Sequence, residues 1–195
     1  MFNKRDFILH EKGVLSQLDC DYIINFFETN PEMHVLGTAG GGDIVNEEYK
    51  KDTEIVLNIN DSFNLRSIIV SGLNRCLKKY IKEYSGIELV RSWSLFELYK
   101  IQRYYPGEGY FQLHCENVGP TEEETALPEK RILAWMIYLN DVKEGGHTSF
   151  PSQKRKFQPR RGDVLIWPAY FTHPHRGIVS KTQTKYIISG WYSFT

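Results

Sequence analysis

The spacing of apolar residues divides the chain into a helical first part and a strand-rich second part. Between Asp61 and Tyr84 an apolar residue recurs at every fourth position, at Leu65, Ile69, Leu73, Leu77 and Ile81. This repeat predicts an amphipathic helix packed on a sheet, with Gly86 just beyond its end. A second helix is predicted upstream, beginning at Ser16 and carrying the apolar residues of CDYIINFFE on one face.

After Gly86 the pattern changes to short runs rich in aromatic and β-branched residues. Gly, Pro, Asn and Asp separate these runs, which are SWSLFELYKIQRYY, RILAWMIYLN, GDVLIWP and KYIISGWYSF. Such runs predict the strands of an all-β barrel or sandwich. RILAWMIYL is apolar almost throughout, which places it in the middle of a sheet. The predicted fold class is therefore mainly β with N-terminal helices (α+β).

Length and composition limit the classes of protein to be considered. The 195 residues suffice for a single domain, with helical support in 1–90 and a β core in 91–195. Lys plus Arg and Asp plus Glu number 24 each, so the charge does not suggest a general nucleic-acid binder. Three cysteines are too few for a disulfide framework, and no apolar run is long enough for a signal peptide or a membrane helix. We therefore expect a cytoplasmic protein without nucleic-acid or membrane partners.

One short stretch, YFQLHCENVG, points to chemistry. If it is extended, His114 and Glu116 share a face, because alternate residues of a strand point the same way. A second histidine, among His147, His173 and His175, would complete a 2-His-1-carboxylate triad of the kind that holds divalent iron. From the residues alone, a polar pair on a solvated face and histidines scattered over surface and core remain open explanations, and zinc suits the same ligands.

The order of motifs in the second half resembles that of the iron- and 2-oxoglutarate-dependent dioxygenases, specifically their prolyl 4-hydroxylase-like branch. The motifs cover about residues 95 to 195 and read YYPGEGYFQLHCE, RILAWMIYLNDVKEGGHTSFP, QPRRGDVLIWP and HPHRGIVSKTQTKYIISGW. The resemblance implies a double-stranded β-helix, or jelly roll, of about eight strands. Two N-terminal helices would buttress it.

The resemblance also implies the metal ligands. His114 and Glu116 would be two of them, and the third is carried over to His175 rather than His173, since Lys185 follows His175 by ten residues. Glu116 stands where the family usually has Asp. Glutamate keeps the charge and ligand type but adds a methylene, so its oxygen would reach the metal through a different rotamer.

The same resemblance implies the residues that bind 2-oxoglutarate. Lys185 would place a cation against its far carboxylate. Tyr105, upstream of the first ligand, and Thr148, from the Gly-Gly-x-Thr motif, would line the same pocket. No catalytic residue beyond the metal ligands is implied.

The implied function is hydroxylation of an unactivated C–H bond, first of all in a prolyl residue of a protein or peptide. Fe(II), 2-oxoglutarate and O2 would be required, and succinate and CO2 released. A free amino acid or other small molecule is the alternative substrate, and a non-catalytic jelly-roll binding module or a zinc site is the alternative class. The glycine-rich segment 37–50 and the acidic segment 117–130 are expected to flank the pocket.

Overall fold

The structure, a computed structural model, describes residues 6–39, 45–119 and 128–195. The middle of the glycine-rich segment (40–44) and most of the acidic segment (120–127) lie outside the described residues. The prediction that these two segments flank the pocket therefore falls mostly outside the described residues. Two helices are described, α1 (Gln17–Thr29) and α2 (Phe63–Glu83), together with short 3-10 helices at Pro31–Met33, Ser85–Leu89 and Pro128–Lys130. None of the described helices combines the length and apolar character needed to cross a membrane.

The strands of the described residues are more numerous and often shorter than the resemblance implied. They are β1 (Leu9–Glu11), β2 (Val35–Leu36), β3 (Lys50–Lys51), β4 (Thr53–Asn58), β5 (Trp93–Tyr104), β6 (Gly109–Tyr110), β7 (Arg131–Tyr138), β8 (Thr148–Phe150), β9 (Arg155–Phe157), β10 (Val164–Pro168), β11 (Arg176–Gly177) and β12 (Lys185–Phe194).

α1 begins where the sequence predicts. The hydroxyl of Ser16 accepts a hydrogen bond from the amide of Asp19 at 3.1 Å, and the Asp19 carboxylate accepts one from the amide of Ser16 at 3.2 Å. This reciprocal capping satisfies amides that the first turn of a helix leaves without partners. The helix then buries Cys20, Ile23 and Phe27.

α2 confirms the second predicted helix, with a buried face that departs from the strict four-residue repeat. That face consists of Leu65, Ile69, Gly72, Leu73, Cys76 and Tyr80. Leu77 and Ile81 are only partly buried. A helix turns once in 3.6 residues, so a repeat of four drifts around its axis, and the step of three from Leu73 to Cys76 returns the stripe to the core.

Seven antiparallel strands form the major sheet, in the order β1-β10-β7-β12-β5-β4-β2. β7, with the sequence RILAWMIY, lies between β10 and β12, which confirms the predicted interior strand. A second sheet has the order β11-β8-β9, and β3 pairs with β6. Phe150 and Phe157 of the second sheet pack against Leu165 and Trp167 of the major sheet.

The first 90 residues contain strands as well as the expected helical support. β1 pairs with β10 at one edge of the major sheet, and β4 and β2 extend the sheet at its other edge. β1 and β2 are too short for an alternating pattern to be visible in the sequence. The division into a helical part and a β part is therefore corrected, because both parts of the chain build the sheet.

The major sheet is buried on both faces. One face packs on α1 and α2, through side chains that include Ile55, Ile101, Ile137 and Ile188. The other face turns toward the second sheet, and its side chains include Tyr104, Met136, Ile187 and Trp191. Because successive residues of a strand point to opposite faces, each long strand contributes alternately to the helix-packed core and to the inner cavity.

Gly190→Ala tests the close packing of β12 on the helix-packed face. A methyl group at this position would lie 2.4 Å from Cζ2 and 2.7 Å from Cε2 of the buried Trp135. Overpacking of this kind costs about 1–3 kcal/mol. We expect urea denaturation to show a loss of about that size in the free energy of unfolding. Gly86→Ala is the control, since its methyl group would meet nothing within 4 Å, and equal losses in the two variants would contradict the packing argument.

Candidate metal and co-substrate site

Two histidines from distant parts of the chain are paired through their backbones. The amide of His114 donates to the carbonyl of His175 at 3.0 Å, and the amide of His175 donates to the carbonyl of His114 at 2.9 Å. Residues paired in this antiparallel manner place their side chains on the same face. The centroids of the two imidazole rings are accordingly 4.4 Å apart.

Backbone carbonyls fix the tautomer of both rings. Nδ1 of His114 lies 2.9 Å from the carbonyl of Gln112, and Nδ1 of His175 lies 3.1 Å from the carbonyl of His173. A carbonyl can only accept, so each Nδ1 carries a proton and donates. Each Nε2 is thereby left as the nitrogen that can bind a metal, an arrangement typical of metal-ligating histidines.

Glu116 completes the group. Its Oε1 lies 3.2 Å from Nε2 of His175 and 3.7 Å from Nε2 of His114. One ligand atom from each of the three residues lies within 4.8 Å of the others. The thiol of the intervening Cys115 instead donates to the carbonyl of Asn117. The structure thus brings together the three residues predicted as metal ligands.

The electrostatics of this group suit a divalent cation. Burial opposes ionisation of Glu116, but the hydrogen bonds and positive charge that the two histidines offer it when they are protonated outweigh burial and hold its pKa well below the usual range. Burial lowers the pKa of His175, which favours its neutral form. Two neutral imidazoles and one carboxylate suit Fe(II) by ligand type and leave further positions open. The residues therefore fit this metal, and the same donors also suit zinc.

The structure does not bring His173 to this group. Its Nδ1 lies 2.9 Å from the hydroxyl of Thr172, and its Nε2 donates to the carbonyl of Asp6 at 2.8 Å. Both ring nitrogens are therefore engaged, and the bond from Nε2 holds the segment before β1 against the turn that precedes β11. His147 lies in the loop before β8 and is also outside the group.

Lys185 is a buried cation whose direct contacts are with neutral groups, although the carboxylate of Asp52 is near enough to raise its pKa slightly against the effect of burial. Only 5% of it is exposed, its Nζ donates to the carbonyl of Gly146 at 3.3 Å, and the same atom lies 4.4 Å from the ring centroid of Tyr104. Among the residues that the structure describes, no carboxylate forms an ion pair with it. Burial lowers its pKa to about 8. Such a cation is costly unless an anion binds it, which fits the far carboxylate of 2-oxoglutarate.

Gly177 connects Lys185 with the histidine pair. A Cβ built on this glycine would lie 3.5 Å from Nζ of Lys185 and 3.6 Å from the backbone nitrogen of Tyr110. The ring of Tyr110 in turn stacks on that of His114, with centroids 3.7 Å apart. Through Gly177 and Tyr110, the lysine is therefore brought to the region of the three grouped residues.

Thr148 also lies in this region. It is buried, it pairs with Gly177 between β8 and β11, and its hydroxyl lies 2.6 Å from that of Tyr138. The structure thus places this predicted residue beside Lys185. It adds Tyr138, which the sequence did not single out.

Tyr105 is the predicted residue that the structure does not bring to the site. It is 46% exposed, and the guanidinium of Arg103 lies 4.3 Å from its ring centroid. Tyr104 is the tyrosine that pairs with Lys185 across β5 and β12 and contacts it. The prediction is off by one position because the sequence does not show which of two adjacent tyrosines points inward.

Trp191 and Arg131 contact Glu116 in a way that the sequence did not reveal. The indole Nε1 of Trp191 donates to Oε2 of Glu116 at 2.8 Å, and Arg131 donates to the Glu116 carbonyl at 3.1 Å. Trp191 is too distant from Glu116 in the chain for any local pattern to indicate the contact.

Comparison with known proteins agrees with this geometry. The sequence profile of the 2OG-Fe(II) oxygenase superfamily matches residues 99–193, which include all three grouped residues and Lys185. This region belongs to that superfamily. Fe(II), 2-oxoglutarate and O2 are therefore the metal, co-substrate and oxidant of its class, as the motifs implied.

Within the superfamily, the oxygenase region is similar to prolyl 4-hydroxylases. A protein of Acanthamoeba polyphaga mimivirus, provisionally named a prolyl 4-hydroxylase, is 31% identical over 104 residues. The alignment covers 48% of this chain and 43% of the viral protein. The chain thus spans less than half the length of that relative.

Two solved structures share the fold of this chain. The viral collagen prolyl hydroxylase of Paramecium bursaria Chlorella virus-1, in a 2OG complex, has a TM-score of 0.69 at 19% identity and 97% coverage of both chains. A Trichoplax adhaerens prolyl hydroxylase, in complex with a peptide fragment of the hypoxia inducible factor oxygen degradation domain, has a TM-score of 0.70 at 15% identity. That match covers 96% of this chain and 84% of the other. The likeness confirms the predicted jelly-roll fold.

Proposed function

We propose that this protein is an Fe(II)- and 2-oxoglutarate-dependent dioxygenase that hydroxylates a prolyl residue of a protein or peptide. The observation that carries the proposal is the convergence of ligand atoms of His114, Glu116 and His175 within 4.8 Å of one another, with Lys185 brought to the same region beside Gly177. A triad of this kind with a buried cation nearby is the arrangement needed to chelate iron and an oxoacid together.

Each residue has a defined part in this proposal. His114, Glu116 and His175 hold the metal, and Lys185 binds the far carboxylate of 2-oxoglutarate through a charge-assisted hydrogen bond. Thr148 contributes its hydroxyl to the same pocket. When bound, Fe(II) and 2-oxoglutarate supply the oxygen activation needed for C–H hydroxylation, with release of succinate and CO2.

Aromatic rings shield the ligands from bulk water. Phe150 stacks on His175 with centroids 5.2 Å apart, and the edge of Trp167 meets the same ring at 5.0 Å. Tyr110 covers His114. A dry environment strengthens the interactions of the metal with its ligands and protects the oxidising chemistry from side reactions.

The proposal of a prolyl substrate is supported by the names of the three similar proteins described above, each of which is named as a prolyl hydroxylase. The described ends of the glycine-rich and acidic segments also lie near the grouped residues. The carbonyl of Tyr49 accepts a hydrogen bond from Phe111 at 2.8 Å, and Asn117 directly follows Glu116. We propose that these segments select the substrate, with a free amino acid or small molecule as the alternative.

We also propose a cytoplasmic location. The support is that Cys20, Cys76 and Cys115 are all unpaired, as expected for a protein that folds in a reducing compartment.

Anaerobic titration of the metal-free protein with Fe(II) and 2-oxoglutarate tests the proposal. We expect the weak visible charge-transfer band of a chelated iron–oxoacid complex, and we expect His114→Ala to abolish it. His147→Ala is the matched control, because this histidine lies outside the grouped residues, and it should keep the band. Absence of the band from folded wild-type protein would contradict the dioxygenase proposal and leave a binding module or a zinc site.

A turnover assay then tests the substrate class. Succinate release in air should be stimulated by peptides that contain proline, more than by free proline. The reverse preference would favour the small-molecule alternative.

A further inference from the structure

The two carboxylate oxygens of Glu116 lie in different surroundings. Oε1 faces the Nε2 atoms of the two histidines, at 3.2 and 3.7 Å. Oε2 faces away from them, accepts a hydrogen bond from the indole of Trp191 at 2.8 Å, and lies 3.8 Å from Nη1 of Arg131. The glutamate therefore presents one oxygen to the proposed metal position and has the other held from outside.

Trp191 and Arg131 form one rigid unit. The guanidinium carbon of Arg131 lies 3.7 Å from the indole centroid of Trp191, a close cation–π contact. The two residues come from β7 and β12, which are hydrogen-bonded neighbours in the major sheet. Arg131 also donates to the backbone carbonyl of Glu116 at 3.1 Å. The pair thus contacts Glu116 at its backbone carbonyl and at Oε2.

These contacts affect how Glu116 can bind a metal. A carboxylate can bind a cation through one oxygen or through both, and a glutamate side chain has more rotamers to lose than a shorter carboxylate. With Oε2 engaged by the indole N–H, Glu116 offers only Oε1. It then occupies a single coordination position, which leaves the others for the co-substrate and oxygen.

We infer that Trp191 and Arg131 are positioning residues that hold Glu116 as a one-oxygen metal ligand. Trp191 makes the direct contact with Oε2, and Arg131 fixes both the indole ring and the backbone of the glutamate. The inference rests on the proposed function, because it requires that Glu116 bind the metal.

Metal binding by the full chain, measured without turnover, tests the inference. Mn(II) is the probe, because it does not oxidise in air and its free form gives a countable electron paramagnetic resonance signal. Trp191→Phe keeps a ring for Arg131 but removes the N–H donor. We expect it to weaken Mn(II) binding roughly 10–100-fold, the usual effect of losing a partner of a metal ligand.

Trp135→Phe is the matched control. Trp135 is a buried tryptophan of the same sheet, and its indole nitrogen has no hydrogen-bond partner among the described residues. We expect this variant to lose stability and to keep its affinity for Mn(II). Equal loss of affinity in both variants would show a general effect of core damage and overturn the inference.

A double-mutant cycle shows whether Trp191 acts through Glu116. Glu116→Asp withdraws the carboxylate from the indole, so adding Trp191→Phe to it should change Mn(II) affinity by about twofold or less, as for uncoupled sites. If Trp191→Phe weakens Mn(II) binding as much in the Glu116→Asp protein as in the wild type, the inference that Trp191 acts through Glu116 is overturned. Arg131→Lys keeps the charge but not the planar stack, and wild-type affinity in that variant would remove Arg131 from the assignment.

Binding of 2-oxoglutarate gives a second readout. At saturating Mn(II), the affinity of Trp191→Phe for 2-oxoglutarate should also fall, because the released Oε2 competes for a coordination position. If the wild type binds Mn(II) and Trp191→Phe matches it in both affinities, only the positioning inference fails. If the folded wild type binds no Mn(II), the metal site itself fails, and the inference with it.

Discussion

Replacing His175 with alanine should abolish binding of divalent metal, whereas replacing His173 with alanine should leave binding nearly intact. Nε2 of His175 lies 3.2 Å from Oε1 of Glu116, so the first change removes one of three ligands. The loss should exceed the roughly 10–100-fold that follows removal of an outer partner. Isothermal titration with Mn(II) measures it, and succinate release should disappear in the same variant.

Thermal stability should separate His173 from His175, because replacing His173 should lower the unfolding temperature without abolishing metal binding. His173 makes hydrogen bonds to Thr172 and to the carbonyl of Asp6, at 2.9 and 2.8 Å. Two such bonds contribute about 1–3 kcal/mol together, so His173→Ala should unfold at a lower temperature while still binding Mn(II). A His173→Ala protein that is stable and binds no metal, beside a His175→Ala protein that does bind it, would reverse the ligand assignment.

Replacing Lys185 with methionine should weaken 2-oxoglutarate binding and stabilise the protein that lacks 2-oxoglutarate. Removing one member of a buried charge pair costs about 2–5 kcal/mol, which corresponds to a roughly 30-fold or larger increase in Kd. Without the anion, Lys185 is a desolvated cation whose pKa is lowered to about 8. Relief of that desolvation is worth on the order of 3 kcal/mol. Titration of the Mn(II)-loaded protein and urea denaturation measure the two effects, and an unchanged Kd would contradict the assigned role.

The pH dependence that Lys185 contributes has a definite sign. Its pKa is about 8 in the folded protein and 10.5 as an ordinary lysine. Between these values the unfolded chain binds more protons than the folded one, so this residue makes the free energy of unfolding rise with pH from about 8 to 10.5. Below pH 8 the lysine is protonated in both states, so it contributes no pH dependence there. Affinity for 2-oxoglutarate should fall over the same range, because the lysine loses its charge. Both trends should be absent from Lys185→Met measured in parallel, so the difference between wild type and variant isolates the contribution of this lysine.

Much of this architecture is encoded in short stretches of sequence. The capping residues of α1, the apolar repeat of α2 and the uninterrupted apolar run of β7 each identify their element without long-range information. The spacing of His114 and Glu116 is also a local feature, whereas His175 was chosen through the family resemblance, in which a lysine follows the distal histidine by ten residues. The structure adds the reason for choosing His175, which is that His173 has both ring nitrogens engaged.

What the sequence could not show depends on pairing across the sheet. The inward tyrosine is Tyr104 because it lies opposite Lys185 in the register of β5 and β12. Nothing in the sequence of the adjacent Tyr104 and Tyr105 shows which of them points inward. The contact of Trp191 with Glu116 joins residues from opposite ends of the oxygenase region. The short strands β1 and β2 each form against a longer strand that offers them hydrogen bonds.

The side chains of β12 alternate between the two faces of the major sheet, so the register of this strand determines both the packing of the core and the position of the site residues. Lys185, Ile187 and Trp191 face the cavity, whereas Ile188 and Tyr192 belong to the core against the helices. A slip of one residue in pairing would exchange the two sets, so it would drive the lysine into the helix-packed core and remove the indole from Glu116 together. A chain with this strand out of register is therefore too unstable to persist as a folded but inactive species. Selection for stability therefore preserves the register of β12, and with it the positions from which Lys185 and Trp191 reach the site.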